Sequence, residues 1–389
     1  MEAESVAEAE APVPTSGSSA RLSSLDLLRG IVVVLMAIDH VRVYSGLPAG
    51  GPTAGIFLTR WVTHFCAPLF VFLAGSGAFL NGARHGTSAL ARYLLTRGAM
   101  LVVLELTLIR WLWSFHWAPT EFTLAGVIWM LGWCMILLAA MVRFSPRAVG
   151  FAGIAVVVLQ PLFAVPGQLL PASLDARWLW EFVYPAGLST PEAVHVLYVI
   201  VPWVGVMMMG YGLGTLLTGD PERRRTVLLR AGLAMTAAFL AIGIAGAWRS
   251  PRADMPFVLQ VLDQRKYPAS VPFLLMTLGP AIALLPLLER AQGWLARAMI
   301  TFGRVPMFYY LLHIPLIHLS ALAVQRLRDG AMHPEFFTTA PYTWMPEEAR
   351  WSLGLLYLVF AVDVALLYVA CCWFVRVKAR RTTGWLHYL

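Results

Sequence analysis

Apolar runs of roughly 17 to 25 residues, each long enough to cross a bilayer as a helix, alternate along this sequence with short polar connections. They fall at about 25–43, 56–80, 93–113, 124–142, 148–166, 194–217, 227–247, 270–288, 299–324 and 351–375. The pattern predicts an all-α fold, a polytopic integral membrane bundle of about ten transmembrane helices. Residues 1–20 are acidic and rich in Ala, Ser and Pro, with Glu2, Glu4, Glu8 and Glu10 where a cleavable signal peptide would carry positive charge. They read as a disordered cytosolic tail, residues 21–381 as one membrane domain, and residues 382–389 as a cytosolic C-terminal tail.

Composition supports the bilayer as solvent. Of 389 residues, 59% are hydrophobic and only 13% charged, against about 25% in an average soluble domain. The formal charge of +8 is spread between apolar segments rather than gathered on one face, which points to membrane topology and away from nucleic acid. With the N-terminus in the cytosol, 18 of the 29 Lys and Arg residues lie inside. Both termini are then cytosolic, and the long loops at about 167–193, 248–269 and 325–350 face outward. The expected setting is therefore a cell membrane, crossed many times by the chain. The sequence leaves the oligomeric state open, a homodimer included.

Local chemistry gives further expectations. Ser23 is placed to cap the first span, with Asp26 three residues on in capping-box position. Trp111, Trp113, Trp117, Trp178 and Trp180 gather at outer helix ends, as an aromatic belt would. Cys66, Cys134, Cys371 and Cys372 lie in apolar stretches without metal-ligand spacing, so neither a disulfide framework nor a metal site is expected. The sequence holds no Walker loop, dinucleotide fingerprint, nucleophile elbow or HExxH, which removes most of the case for ATP-driven transport, hydride transfer and serine or zinc hydrolysis.

Ionisable residues inside the spans are the functional candidates, because each is costly there. The first span ends in Asp39-His40-Val41-Arg42, with Asp39 and Arg42 on one face and His40 over Tyr44. A carboxylate beside an imidazole suits general-base work; the plainer alternative is a structural Asp39–Arg42 pair. In the second span Arg60, His64 and Pro68 recur every four residues. Pro68 frees the carbonyl of His64, so a helix break lining a cavity is expected at that point. The alternative is a polar network that holds two helices together. The third span carries Glu105, expected to anchor a cation on a neighbouring helix, with Arg97 two turns earlier. In the ninth, Tyr309 and His313 share a face and Arg304 stands at the cytosolic entrance.

The run Arg21-Leu22-Ser23-Ser24-Leu25-Asp26-Leu27-Leu28-Arg29-Gly30, followed by Asp39-His40-Val41-Arg42, resembles the opening of bacterial relatives of heparan-α-glucosaminide N-acetyltransferase, within the transmembrane acyltransferases. The stretches 63–75, 94–107, 201–214, 266–280 and 303–318 carry the likeness along nearly the whole chain, most closely over about 21–247. The resemblance implies acyl transfer inside a helical bundle, from cytosolic acetyl-CoA or another acyl-CoA to an acceptor on the far side. In that family an Asn near the end of the first span works with a His eleven residues later. Here His40 occupies the Asn position and Gly51 the other, which leaves His40 and His64 as candidate imidazoles. The expected catalytic set is therefore His40, His64 and Asp39, the last in an orienting role. Arg42, Arg60, Glu105, Tyr309 and His313 would bind the acceptor, an amino sugar or cell-envelope glycan, and Arg97 and Arg304 the acyl-CoA. The rival reading is a secondary transporter whose intramembrane Asp, Glu and His relay protons.

Overall fold

The computed structural model describes residues 16–380 other than Pro52; the N-terminal residues 1–15 and the C-terminal tail lie outside the described residues. Helix α1 (Ser16–Tyr44) leads into α2 (Ala54–Trp61), a tight turn at Val62–Phe65 and α3 (Cys66–His85). α4 (Thr87–Leu104) passes through a π-helical turn at Glu105–Ile109 into α5 (Arg110–Ser114). α6 (Val127–Met141), α7 (Pro146–Val158), α8 (Ala164–Leu169) and α9 (Trp203–Leu217) follow. The second half comprises α10 (Pro221–Arg249), α11 (Phe257–Leu262), α12 (Val271–Leu288), α13 (Trp294–Arg304), α14 (Pro306–Asp329) and α15 (Leu353–Arg380). Among the described residues five helices are long and apolar enough to cross a membrane, or six if the α7–α8 pair, bent by 74°, counts as one span.

Each predicted apolar run falls on helix, but several ends differ for identifiable reasons. α1 begins at Ser16, inside the stretch expected to be a tail, so Ser23 lies within the helix and not at its start; Asp26 pairs with Arg29 at 2.7 Å. The run predicted from 194 opens on β-branched residues that extend. Val194–Val196 pairs in parallel with Thr123–Ala125, and the helix starts only at Trp203, after Pro202. The run at 299–324 is two helices, because Pro306 disfavours helical backbone at the residue before it. Val305 accordingly sits at φ −133°, ψ 49°.

Packing is set by glycines at backbone contacts, as expected where lipid supplies no hydrophobic drive between helices. A Cβ on Gly30 would collide with the carbonyl of Met299, and one on Gly303 with that of Asp26. Gly75 and Gly210 let α3 and α9 approach in the same way. The α1–α13 contact holds Arg29 and Arg304 at one end of the bundle. Gly303→Ala should therefore lower the thermal midpoint in detergent, by the ~1–3 kcal/mol typical of overpacking. A scanning measurement that found the midpoint unchanged would refute the close contact.

Candidate active site at the junction of two cavities

His40 is the residue around which the site is built. Two cavities, about 380 and 480 Å³, are both lined by Asp39, His40, Val127, Tyr198 and Tyr310. The first runs along α1. Arg29 and His40, eleven residues apart on that helix, return to within about 20° of one face and lie about 16 Å apart along its axis. Met36 lines the wall between them. Arg29, Arg97, Arg304 and Lys378 stand in this cavity with apolar residues of α3, α4 and α6. Arg97 donates to the Tyr93 hydroxyl at 3.1 Å. Neither Arg304 nor Lys378 is in an ion pair among the described residues.

The second cavity is walled by aromatic and cationic side chains: Trp113, Tyr267 and Tyr342, with Arg42, Arg60 and Arg350. Residues 341–343 of the long loop form part of it. Arg110 anchors that loop by donating to the carbonyls of Ala340 at 2.7 Å and Thr338 at 2.6 Å.

The state of His40 follows from its neighbours. His313 Nδ1 faces two carbonyls, Tyr310 O at 2.7 Å and Tyr309 O at 3.0 Å. Carbonyls only accept, so the proton of a neutral His313 sits on Nδ1, and its Nε2 carries the lone pair. His40 Nδ1 lies 2.5 Å from that Nε2 and must donate to it. The lone pair of His40 is then on Nε2. The two imidazoles lie edge to edge, with centroids 4.7 Å apart and planes 21° from parallel, and His40 meets Trp113 edge-on at 4.7 Å. This is an imidazole held in one tautomer and one orientation.

Asp39, expected to orient His40, turns both carboxylate oxygens to arginines instead. Its Oδ1 accepts from Arg42 Nε at 2.9 Å and its Oδ2 from Arg60 Nη1 at 2.5 Å, and it makes no hydrogen bond to His40. Arg60 also reaches the Tyr267 hydroxyl at 3.4 Å. The carboxylate thus clamps the end of α1 to α2. His64 sits in the tight turn before α3, where a break was expected, but its ring packs on Phe273 and its buried Nδ1 has no partner. It lines neither cavity.

Among the described residues Glu105 anchors no cation. The π turn aims its Oε2 at the backbone N–H of Ile128, 3.2 Å away, so it caps the start of α6, where a carboxylate is favoured by the helix dipole. Gly126 leaves the room, since a Cβ there would strike Glu105 Oε1. Tyr309 is buried and lines neither cavity; it contributes through its carbonyl to His313. His313 is fully buried, lines neither cavity and meets the site only at His40. Trp113, expected in an aromatic belt, is buried against His40. The arginines at 97 and 304 do line the first cavity, joined by Arg29 and Lys378.

Sequence reasoning passed over Tyr198, Tyr310, Lys266 and Lys378. Only the stretches 266–280 and 303–318, set apart by their family likeness, pointed towards two of them. The catalytic-domain profile described as "Heparan-alpha-glucosaminide N-acetyltransferase, catalytic" matches residues 21–248, more than half of the chain. No curated protein matches the chain. His313, Lys266, Arg304 and Lys378 lie beyond the matched segment.

Proposed function

The chain belongs to the heparan-α-glucosaminide N-acetyltransferase catalytic family, and from that premise we propose that it moves an acetyl group across a membrane, from acetyl-CoA to an amine or hydroxyl acceptor. The observation that carries this reading is the meeting of two cavities at one imidazole whose lone pair is fixed on Nε2. A single-substrate hydrolase would need only one of them.

In this reading the bundle has about ten spans with both termini cytosolic, as the Lys/Arg asymmetry favours. The cationic end of the first cavity then faces the cytosol. Arg29, Arg97, Arg304 and Lys378 hold the phosphates of the acyl-CoA, and the apolar shaft between α1 and α3 receives its linear arm. The thioester arrives beside His40. The acceptor enters from the opposite face through the second cavity, whose Trp113, Tyr267 and Tyr342 suit stacking against a sugar. His40 Nε2 takes the proton of the attacking nucleophile, a contribution of about 10²–10⁴-fold in rate. His313 holds the other ring nitrogen and so fixes which atom reacts.

Purified protein in nanodiscs, given acetyl-CoA and glucosamine, should release free thiol at a rate that depends on the amine. Concentrative uptake of solute without acyl-CoA would instead establish a transporter. Arg304→Ala with Lys378→Ala should weaken acetyl-CoA binding about tenfold and leave the turnover of bound donor intact. The deficit should shrink as salt rises, because exposed cations are screened. A calorimetric titration in which the double variant binds as the wild type does would remove these two residues from the donor site.

A further inference from the structure

Lys266 stands between α11 and α12, beyond the segment matched to the family. Its backbone bridges to Ala269, and Ser270 next to it caps α12 by accepting from the Phe273 N–H at 3.3 Å. The root of the side chain is therefore anchored to a rigid element. The residue is 7% exposed. Its Nζ lies 5.2 Å from the ring centroid of Tyr267 and 5.8 Å from that of Tyr198. Among the described residues its ammonium has no hydrogen bond or ion pair. The nearby carboxylate, Asp39, is occupied by Arg42 and Arg60.

An ammonium that opens into this cavity beside two aromatic faces, with the neighbouring carboxylate already engaged by two guanidinium groups, is left free to bind an anion there. It lines the same cavity as His40, whereas the other cations of that cavity cluster about Arg29, eleven residues down α1 from the imidazole. Donor phosphates held at that end cannot also satisfy Lys266. What the reaction generates beside His40 is negative charge on the thioester carbonyl oxygen. We propose that Lys266 is a catalytic residue that binds this oxyanion, an inference resting on the acyl-transfer reading.

The step balances without any other reactant. The acceptor nitrogen bonds to the carbonyl carbon and loses a proton to His40 Nε2, while the C=O pair moves onto oxygen against the Lys266 ammonium. When the C=O bond re-forms, the C–S bond breaks, and the leaving thiolate takes the proton back from His40. The products are an N-acetyl acceptor and free CoA.

The test is Lys266→Met and Lys266→Arg in nanodiscs with acetyl-CoA and glucosamine, beside calorimetric titration with CoA. The methionine variant should lose about 10²–10³-fold in kcat with CoA affinity unchanged. The arginine variant, which keeps the cation and serves should the methionine variant misfold, should recover part of that loss. A structural role would not produce this split. A wild-type kcat in a folded methionine variant, or a loss confined to CoA binding, overturns the proposal and leaves acyl transfer standing. If only the arginine variant folds, a kcat no better than that of His40→Ala overturns it. A folded wild type that releases no thiol sinks both.

Discussion

His40→Ala is expected to reduce acceptor-dependent release of CoA by about 10²–10⁴-fold, with the protein still folded and still binding acetyl-CoA. Among the described residues His40 is the one imidazole that lines both cavities, so no other described histidine can take its proton-accepting role by a small movement. His313 is one layer back and already gives its Nε2 to His40. His64 faces Phe273. His64→Ala should therefore keep most of its turnover, and the contrast between the two variants is the informative part. His313→Leu should fall between them, since His40 would keep its place but lose the partner that fixes its tautomer. Parallel thiol-release assays with CoA titrations check all three. Equal losses for His40 and His64 would contradict the assignment.

The second large effect concerns stability. Asp39→Ala should cost about 3–5 kcal/mol, the range for breaking a buried charge pair by removing one partner. Arg42 and Arg60 both point at this carboxylate, and the side chains of the three are only 10–18% exposed. Without it two guanidinium groups remain close together in a poorly solvated place. The clamp joins α1 to α2, so the end of α1 that carries His40 should loosen as well, and activity should fall with stability. Arg60→Met on the Asp39→Leu background should restore part of the thermal midpoint, because replacing a buried pair with apolar groups is often neutral. A midpoint for Asp39→Ala equal to that of the wild type would show that the clamp is not formed.

What could be read in the sequence was local. Asp39, His40, Arg42 and Arg60 were legible because helical spacing and one short loop bring them together, and the long apolar runs identified the helices. The partner of His40 was not legible. His313 lies 273 positions away, and only the packing of α14 against α1 makes the two imidazoles meet. Lys266 was hidden for the same reason: its charge counted towards topology until the structure turned its side chain inward. Glu105 was misjudged because a π turn, which hydropathy does not mark, re-aims it at the start of α6. Trp113 was misjudged because a tryptophan at a helix end looks the same in sequence whether it faces lipid or an active site.

The central claim is that acyl transfer occurs at His40, between donor and acceptor arriving from opposite faces. It is tested most directly by trapping glucosamine inside sealed proteoliposomes, supplying radiolabelled acetyl-CoA outside, and separating luminal from external products. The account predicts N-acetylglucosamine in the lumen and CoA outside from the wild type, and neither from His40→Ala. Luminal product formed equally by His40→Ala, or product appearing only when both substrates share one side, would contradict it.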